Sequence, residues 1–224
     1  MIEMQNLSFG YSGGEPLLAD MSLSLPPGSF HFLTGPSGSG KTTFLRLCYA
    51  DLLPTAGKML AFGQDVTELS RDGIAALRRR VGVVHQDTQF LDHLPVAENI
   101  AMPLIVSGEA VDMPALGDLL SWVQLTNHSR TMPPALSGGE RQRAALARAV
   151  IMSPDLIIAD EPTGNLDWDM SMRLLQLLVE LNRSGKTVLF ATHDLNMIRA
   201  AKQQVQTRVL RIAGKRLQLA GADL

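Results

Sequence analysis

Three short runs of this 224-residue chain place anion-binding and proton-accepting groups where strands should end and helices begin. Gly35-Pro36-Ser37-Gly38-Ser39-Gly40-Lys41-Thr42 has the spacing of a phosphate-binding loop, with a strand-like run before it and a helix-like run after it. The glycines permit tight backbone geometry and close approach. Successive amides and the positive end of the following helix then cradle phosphate oxygens. Lys41 should reach the β and γ phosphates, Thr42 Oγ1 should ligate Mg²⁺, and Thr43 continues the cradle. A Gly-rich turn before a core helix is the plainer reading, and it leaves both the spacing and the context unexplained.

Leu156–Glu161 ends an apolar strand in two carboxylates. Asp160 is placed to hold Mg²⁺ through water. Glu161, one residue on, should point elsewhere because strand side chains alternate, and can then polarise an attacking water as general base. An acidic turn would look the same in isolation; beside a phosphate loop the chemical reading is favoured. Ser137-Gly138-Gly139-Glu140 opens an Ala- and Arg-rich helix that should reach about Met152. It fits a capping box fully. It also fits a second anion site in which Gly138 and Gly139 leave helix N–H groups bare for a γ-phosphate, and this suggests one nucleotide held between two copies of the chain. His193 and Gln86 each follow an apolar strand; the first could meet the γ-phosphate and attacking water, the second Mg²⁺. Tyr11 could stack on adenine or simply be a surface aromatic.

These groups need a scaffold. Ile2–Phe9, Met21–Leu25, Ser29–Thr34, Lys58–Phe62 and Val81–Val84 read as strands, punctuated by Gly13-Gly14, Pro26-Pro27-Gly28 and Gly57. A helix should run from near Gly40 to about Tyr49. Val96–Ile105 and Met113–Leu125 have helical periodicity, and no convincing strand lies between Gln86 and Ser137. Asp155–Asp160 and Thr187–Ala191 read as core strands, and Met172–Leu181, apolar nearly all round, as a buried helix. Thr207–Ile212 and Lys215–Leu219 resemble a terminal hairpin. Arg78-Arg79-Arg80 reads as a solvated helix end; Cys48, Trp122 and Trp168 read as packing residues.

Composition bounds the function. With 20 basic and 22 acidic residues the formal charge is −2, which argues against a nucleic-acid binder. One cysteine cannot form an internal disulfide, which fits a reducing compartment. The start carries no basic-then-apolar secretory pattern and no apolar run is long enough to span a bilayer, so a membrane role is expected to come through a partner.

Together these segments resemble the nucleotide-binding subunit of ABC-type ATPases over essentially the whole chain. The motifs stand in that family's order: Tyr11, the loop at 35–42, Gln86, the Leu-Ser-Gly-Gly-Glu-Arg-Gln run at 136–142, Asp160-Glu161, Leu166-Asp167, and His193 as switch histidine. The resemblance implies an α/β P-loop NTPase fold of ABC type, with a mixed, largely parallel core sheet, an antiparallel β subdomain and an inserted helical lobe. It implies one domain over 1–224, with a core lobe of about 1–86 and 153–224 and a helical lobe of about 87–152. It further implies ATP and Mg²⁺ as ligands, Asp167 among the nucleotide-contacting residues, and a head-to-tail homodimer in which Ser137, Gly138 and Gly139 face the nucleotide on the other protomer's phosphate loop.

Within the family the chain is most similar to the FtsE-type cell-division subunits, on Phe32–Gly35, Glu98–Ile105, Asp160–Asp167 and Ala191–Asn196. Leu47–Asp51 lacks the glycine usual after the phosphate-loop helix, and Glu140-Arg141-Gln142 replaces Glu-Gln-Gln. That branch implies an FtsX-like integral membrane partner, a place at the cytoplasmic face of the bacterial inner membrane, and activation of periplasmic cell-wall hydrolases. Phe90, Leu91 and Leu94 are candidate partner contacts, with core packing as the alternative. Lipoprotein-release or macrolide-type export is the nearest rival role.

Overall fold

The computed structural model describes residues 1–11, 14–164 and 166–219. Gly13, one of the turn glycines, and Asn165, within the 160–167 run, lie outside the described residues. The chain opens with β1 (Ile2–Phe9), β2 (Leu18–Leu25) and β3 (Phe30–Thr34), then α1 (Lys41–Cys48), β4 (Ala56–Ala61), β5 (Gln64–Asp65), α2 (Arg71–Arg79) and β6 (Val81–Val84). Helices α3 (Val96–Val106), α4 (Met113–Trp122) and α5 (Gly138–Val150) follow without an intervening strand. The last part alternates β7 (Leu156–Asp160), α6 (Trp168–Arg183), β8 (Thr187–Ala191) and α7 (Leu195–Lys202), and ends in the hairpin β9 (Thr207–Ala213) and β10 (Arg216–Leu219).

Two sheets result. The four-stranded one has the order β2-β1-β4-β5 with antiparallel pairings. The six-stranded one has the order β10-β9-β3-β8-β7-β6, parallel throughout except for the β9–β10 hairpin. This is an α/β arrangement with a mixed core sheet beside an antiparallel one, as the sequence leads one to expect.

The central strands are buried on both faces, as their unbroken apolar runs require. Phe30 and Phe32 of β3, Ile157 and Ala159 of β7, and Val188 and Phe190 of β8 face one apolar cluster, which also holds residues of α3 to α7. The alternate residues Leu33, Leu156, Ile158, Leu189 and Ala191 face a second cluster with Phe44, Leu45 and the antiparallel sheet. Phe32 packs on Phe30 and Phe190 with ring centroids 5.2 and 5.3 Å away, so the aromatic payload of one face sits on adjacent strands.

Three expectations change. Helix α6 is longer than Met172–Leu181 and is amphipathic: Leu174, Leu175, Leu177, Leu178 and Val179 are buried while Arg173, Gln176 and Glu180 are exposed. Its apolar run is dense, but three- and four-residue spacing keeps one polar stripe in water. Trp168 is not a packing residue; at the first turn of α6 it is 48% exposed. The arginines at 78–80 are tied down more than a solvated end requires. Arg78 Nη2 donates to the Ala50 carbonyl at 2.8 Å, and Arg80 pairs with Asp155 at 2.7 Å while lying over the Phe62 ring. Helix α5 spans both the helical segment and the sheet: a Cβ on Gly82 of β6 would collide with the Ala149 carbonyl, so only glycine allows this close approach.

His31 lies in the middle of β3 between Leu189 and Arg208 and is buried. Burial, reinforced by the Arg208 charge, lowers its pKa from 6.5 to about 4. The folded chain therefore keeps it neutral where the unfolded chain takes up a proton. Its contribution to stability is intact above pH 6.5 and is lost as pH falls toward 4, amounting to about 3 kcal/mol over that window. In urea titrations from pH 7 to 4.5, His31→Leu should flatten the acid-side fall in midpoint relative to the unsubstituted chain. Parallel curves would remove His31 from that role.

Candidate nucleotide-binding and catalytic site

Strand β3 delivers the chain into the 35–40 turn, and α1 begins at Lys41 with Gly40 as its N-cap. Gly35, Gly38 and Gly40 have φ of 153, 75 and 96°, which non-glycine residues resist. At Gly35 a Cβ would also stand 2.8 Å from the Ile212 carbonyl oxygen and 2.7 Å from Ser39 Oγ, so the loop has no room for a side chain there. The turn encloses the Lys41 ammonium, which donates to the Gly35 carbonyl at 3.0 Å and the Pro36 carbonyl at 3.4 Å.

A cavity of about 670 Å³ opens over this loop. Gly35, Pro36, Ser37, Gly38, Gly40, Lys41, Thr42 and Thr43 line it, together with Gln86, Glu161 and His193. Ser39 does not reach the lining; its hydroxyl is buried and turned inward beside Gly35. Leu17 and Gly164 also line the cavity and escaped the sequence reading. Leu17 carries no signal, since a leucine before a strand is usually core. Gly164 lies inside a recognisable run, and its Cα faces the Gln86 amide: an added Cβ would be 3.4 Å from Gln86 Nε2.

Glu161 holds the centre of the site. Its Oε1 is 3.5 Å from Lys41 Nζ and its Oε2 is 2.9 Å from His193 Nδ1. Strand alternation does not set its direction, because β7 ends at Asp160 and Glu161 has φ of 46°. A left-handed residue at the strand end, with its N–H donated to the Ala191 carbonyl at 3.0 Å, swings the carboxylate toward the loop. Such a conformation in a non-glycine residue is costly by about 1–2 kcal/mol and concentrates at functional sites. His193 stands two residues beyond the end of β8 and is largely exposed, and the next residue, Asp194, caps α7.

Asp160 lies on the other side of Thr42. It lines a separate cavity of about 390 Å³ with Thr42, Arg46, Tyr49 and His85. Its carboxylate is buried, Oδ1 has no hydrogen-bond partner among the described residues, and burial raises its pKa against the opposing effect of the Thr42 hydroxyl. An unpartnered buried carboxylate oxygen next to a threonine hydroxyl is the donor chemistry a hard divalent cation takes.

The remaining candidates lie apart from the cavity lining. The Tyr11 ring stands edge-on to Phe9, with its hydroxyl 3.5 Å from Thr43 Oγ1 and about half its surface exposed. Asp167 caps α6, with Oδ1 accepting from the Met170 N–H at 2.8 Å. Ser137 caps α5 in a complete capping box: its N–H and hydroxyl donate to Glu140 Oε2 at 2.7 and 2.8 Å, and its Oγ accepts from the Glu140 N–H at 3.4 Å. The two glycines that follow are not equivalent. Gly138 is exposed, whereas Gly139 is buried where a Cβ would collide with the Met170 side chain. The atom met is the terminal methyl of Met170, which can shift, so Gly139 is packed closely on the start of α6 without being required there, and Gly138 is the open position.

The ABC transporter family profile matches residues 18–164. The chain belongs to the ABC transporter family. The chain is 41% identical over 207 residues to the cell division ATP-binding protein FtsE of Bacillus subtilis, covering 92% of this chain and 91% of that one. It is 44% identical to FtsE of Haemophilus influenzae and 42% identical to FtsE of Escherichia coli K12, each over 88% of this chain and at least 90% of theirs. Among solved structures, it superposes on a dimeric post-hydrolysis state of the ATP-binding cassette MJ0796 bound to ADP and Pi, with a TM-score of 0.87 at 31% identity over 97% of both chains. A second dimeric structure of that cassette gives 0.86 at 33% identity over the same share. Fold, cavity and relatives agree on an ABC-type ATPase.

Lys41→Ala removes the ammonium and leaves Glu161 without a cation beside Oε1. ATP affinity, read by calorimetry, should fall roughly ten- to a hundredfold, the scale of one charged hydrogen bond to phosphate. Undiminished affinity would contradict the loop's assignment.

Proposed function

We propose that this chain is the ATP-hydrolysing subunit of an FtsEX-like membrane complex acting in bacterial cell division. One observation carries the chemistry: the cavity over the 35–43 loop is lined by Lys41, Glu161, His193 and Gln86, with Glu161 in contact with both Lys41 and His193. The division role is supported by the FtsE relatives, which match along nearly their whole length.

In this reading the amides of residues 35–43 and Lys41 hold the triphosphate. Tyr11, beside Thr43, lies at the side of the loop where an adenine ring can stack. Mg²⁺ would be held by Thr42 and Gln86 and, through water, by the buried Asp160; when bound it supplies charge neutralisation at the phosphates. Glu161 accepts the proton of the attacking water from its position beyond β7. His193, bonded through Nδ1 to Glu161 Oε2, keeps Nε2 free to meet the water or the γ-phosphate. Lys41 must exchange Glu161 Oε1 for phosphate oxygens, which frees that oxygen for water.

The second anion site belongs to the other protomer of a head-to-tail homodimer. Ser137, Gly138 and Gly139 open α5 outside their own cavity's lining, the Gly138 N–H makes no hydrogen bond among the described residues, and the similar MJ0796 cassette is dimeric. There Asp167, just ahead of α6, would sit near the same junction. No described helix is long and apolar enough to cross a membrane, so attachment at the cytoplasmic face of the inner membrane would come through an FtsX-like partner. Its cytoplasmic element would rest near residues 88–105. Leu91 is exposed there and available, while Phe90 is buried and belongs to the core. The output would be activation of periplasmic cell-wall hydrolases.

Glu161→Gln should keep ATP affinity, lower turnover by about 10²–10⁴-fold, and trap an ATP-dependent dimer visible by light scattering. Unchanged turnover would strip Glu161 of its role. Copurification from native membranes decides the partner: an FtsX-like protein supports the division reading, and an export permease replaces it.

A further inference from the structure

Residues 86–90 leave β6 and carry Gln86 into the site. Among the described residues this segment makes no backbone–backbone hydrogen bond. Three of its carbonyls are taken by side chains of one helix, α5, while that of Asp87 accepts from Gln89 Nε2 at 3.4 Å. Gln142 Nε2 donates to the Gln86 carbonyl at 2.7 Å, Arg148 Nη1 donates to the Gln89 carbonyl at 2.8 Å, and Arg141 Nη2 reaches the Thr88 carbonyl at 3.5 Å. Arg141 and Arg148, seven residues apart and so on one face of α5, also lie over the ring of the buried Phe90, at 5.3 and 4.6 Å from its centroid. The orientation of the Gln142 amide is forced, since the reverse would set its oxygen against a carbonyl oxygen.

Gln142 is itself buried, and a buried amide held at 2.7 Å confines its acceptor tightly. The Gln86 carbonyl points at α5 while the Gln86 side chain lines the cavity beside Gly164. Fixing one end of this residue therefore aims the other. We propose that Gln142 and Arg148 are positioning residues: by gripping the 86–89 backbone they set where the Gln86 amide stands in the ATPase site. The inference rests on the ATPase reading for the role of Gln86. It makes α5 a single rigid part with Ser137 at its start and the hold on the Gln86 segment one to three turns later, so displacement of α5 moves both.

The test uses the full chain with ATP and Mg²⁺. Gln142→Met keeps the shape and removes the donor. It should lower kcat about tenfold, the size of one neutral hydrogen bond, and leave KM for ATP within about twofold. In a Gln86→Ala background the same substitution should add no further loss, because its effect passes through Gln86. Arg148→Met should behave likewise, with Arg148→Lys restoring most of the rate by keeping a donor. Chymotryptic cleavage after Phe90, which is buried in the folded chain, should quicken in Gln142→Met while cleavage elsewhere keeps its rate. Additive losses in the double variant, or unaltered cleavage after Phe90, would overturn the proposal. The cleavage comparison needs no hydrolysis of ATP, so its failure is separable from failure of the ATPase reading, which Glu161→Gln tests.

Discussion

The parallel run β3-β8-β7-β6 is the constraint on which the site depends. Parallel strands end on the same side, so whatever follows each one is gathered into a row at a single edge. Here the row is the phosphate loop after β3, His193 after β8, Asp160 and Glu161 at the end of β7, and Gln86 after β6. These groups are more than a hundred residues apart at the extremes, and strand order alone makes them neighbours. The strands can hold that order because both faces are dry: alternate residues of β3, β7 and β8 feed two separate apolar clusters. A slip of one residue would exchange the clusters and misplace every terminal group.

Within that row, charge is distributed by burial. Asp160 is buried in the cavity behind Thr42, where burial raises its pKa and a cation would be the natural partner. Glu161 is released from the strand by its left-handed backbone and lies between Lys41 and His193. Two adjacent carboxylates thus have different surroundings and can take different roles, one toward metal and one toward water.

Helix α5 connects this edge to the rest of the molecule. Its start is a capping box beside exposed Gly138. Its middle grips the segment after β6, and its end lies against Gly82 of the sheet. Glycine at 82 and at 139 serves close packing of this helix on β6 and on Met170 of α6, which keeps α5 in register with both. Contacts at both ends make the helix a link between the Ser137 capping box and the row of groups at the strand ends.

Much of this was legible in the residues alone, and which parts were legible follows from range. The phosphate loop, the capping box at Ser137 and the unbroken strand runs are encoded within eight residues or fewer, where backbone preference and local hydrogen bonds decide the outcome. Tertiary structure decided the rest. Trp168 stays in water, Gly139 packs against Met170, and Glu161 is aimed by a strained backbone instead of by alternation. Leu17 and the hold of Gln142 on Gln86 gave no local signal at all, because such contacts join residues whose nearness is created only when the parallel strands and α5 pack together.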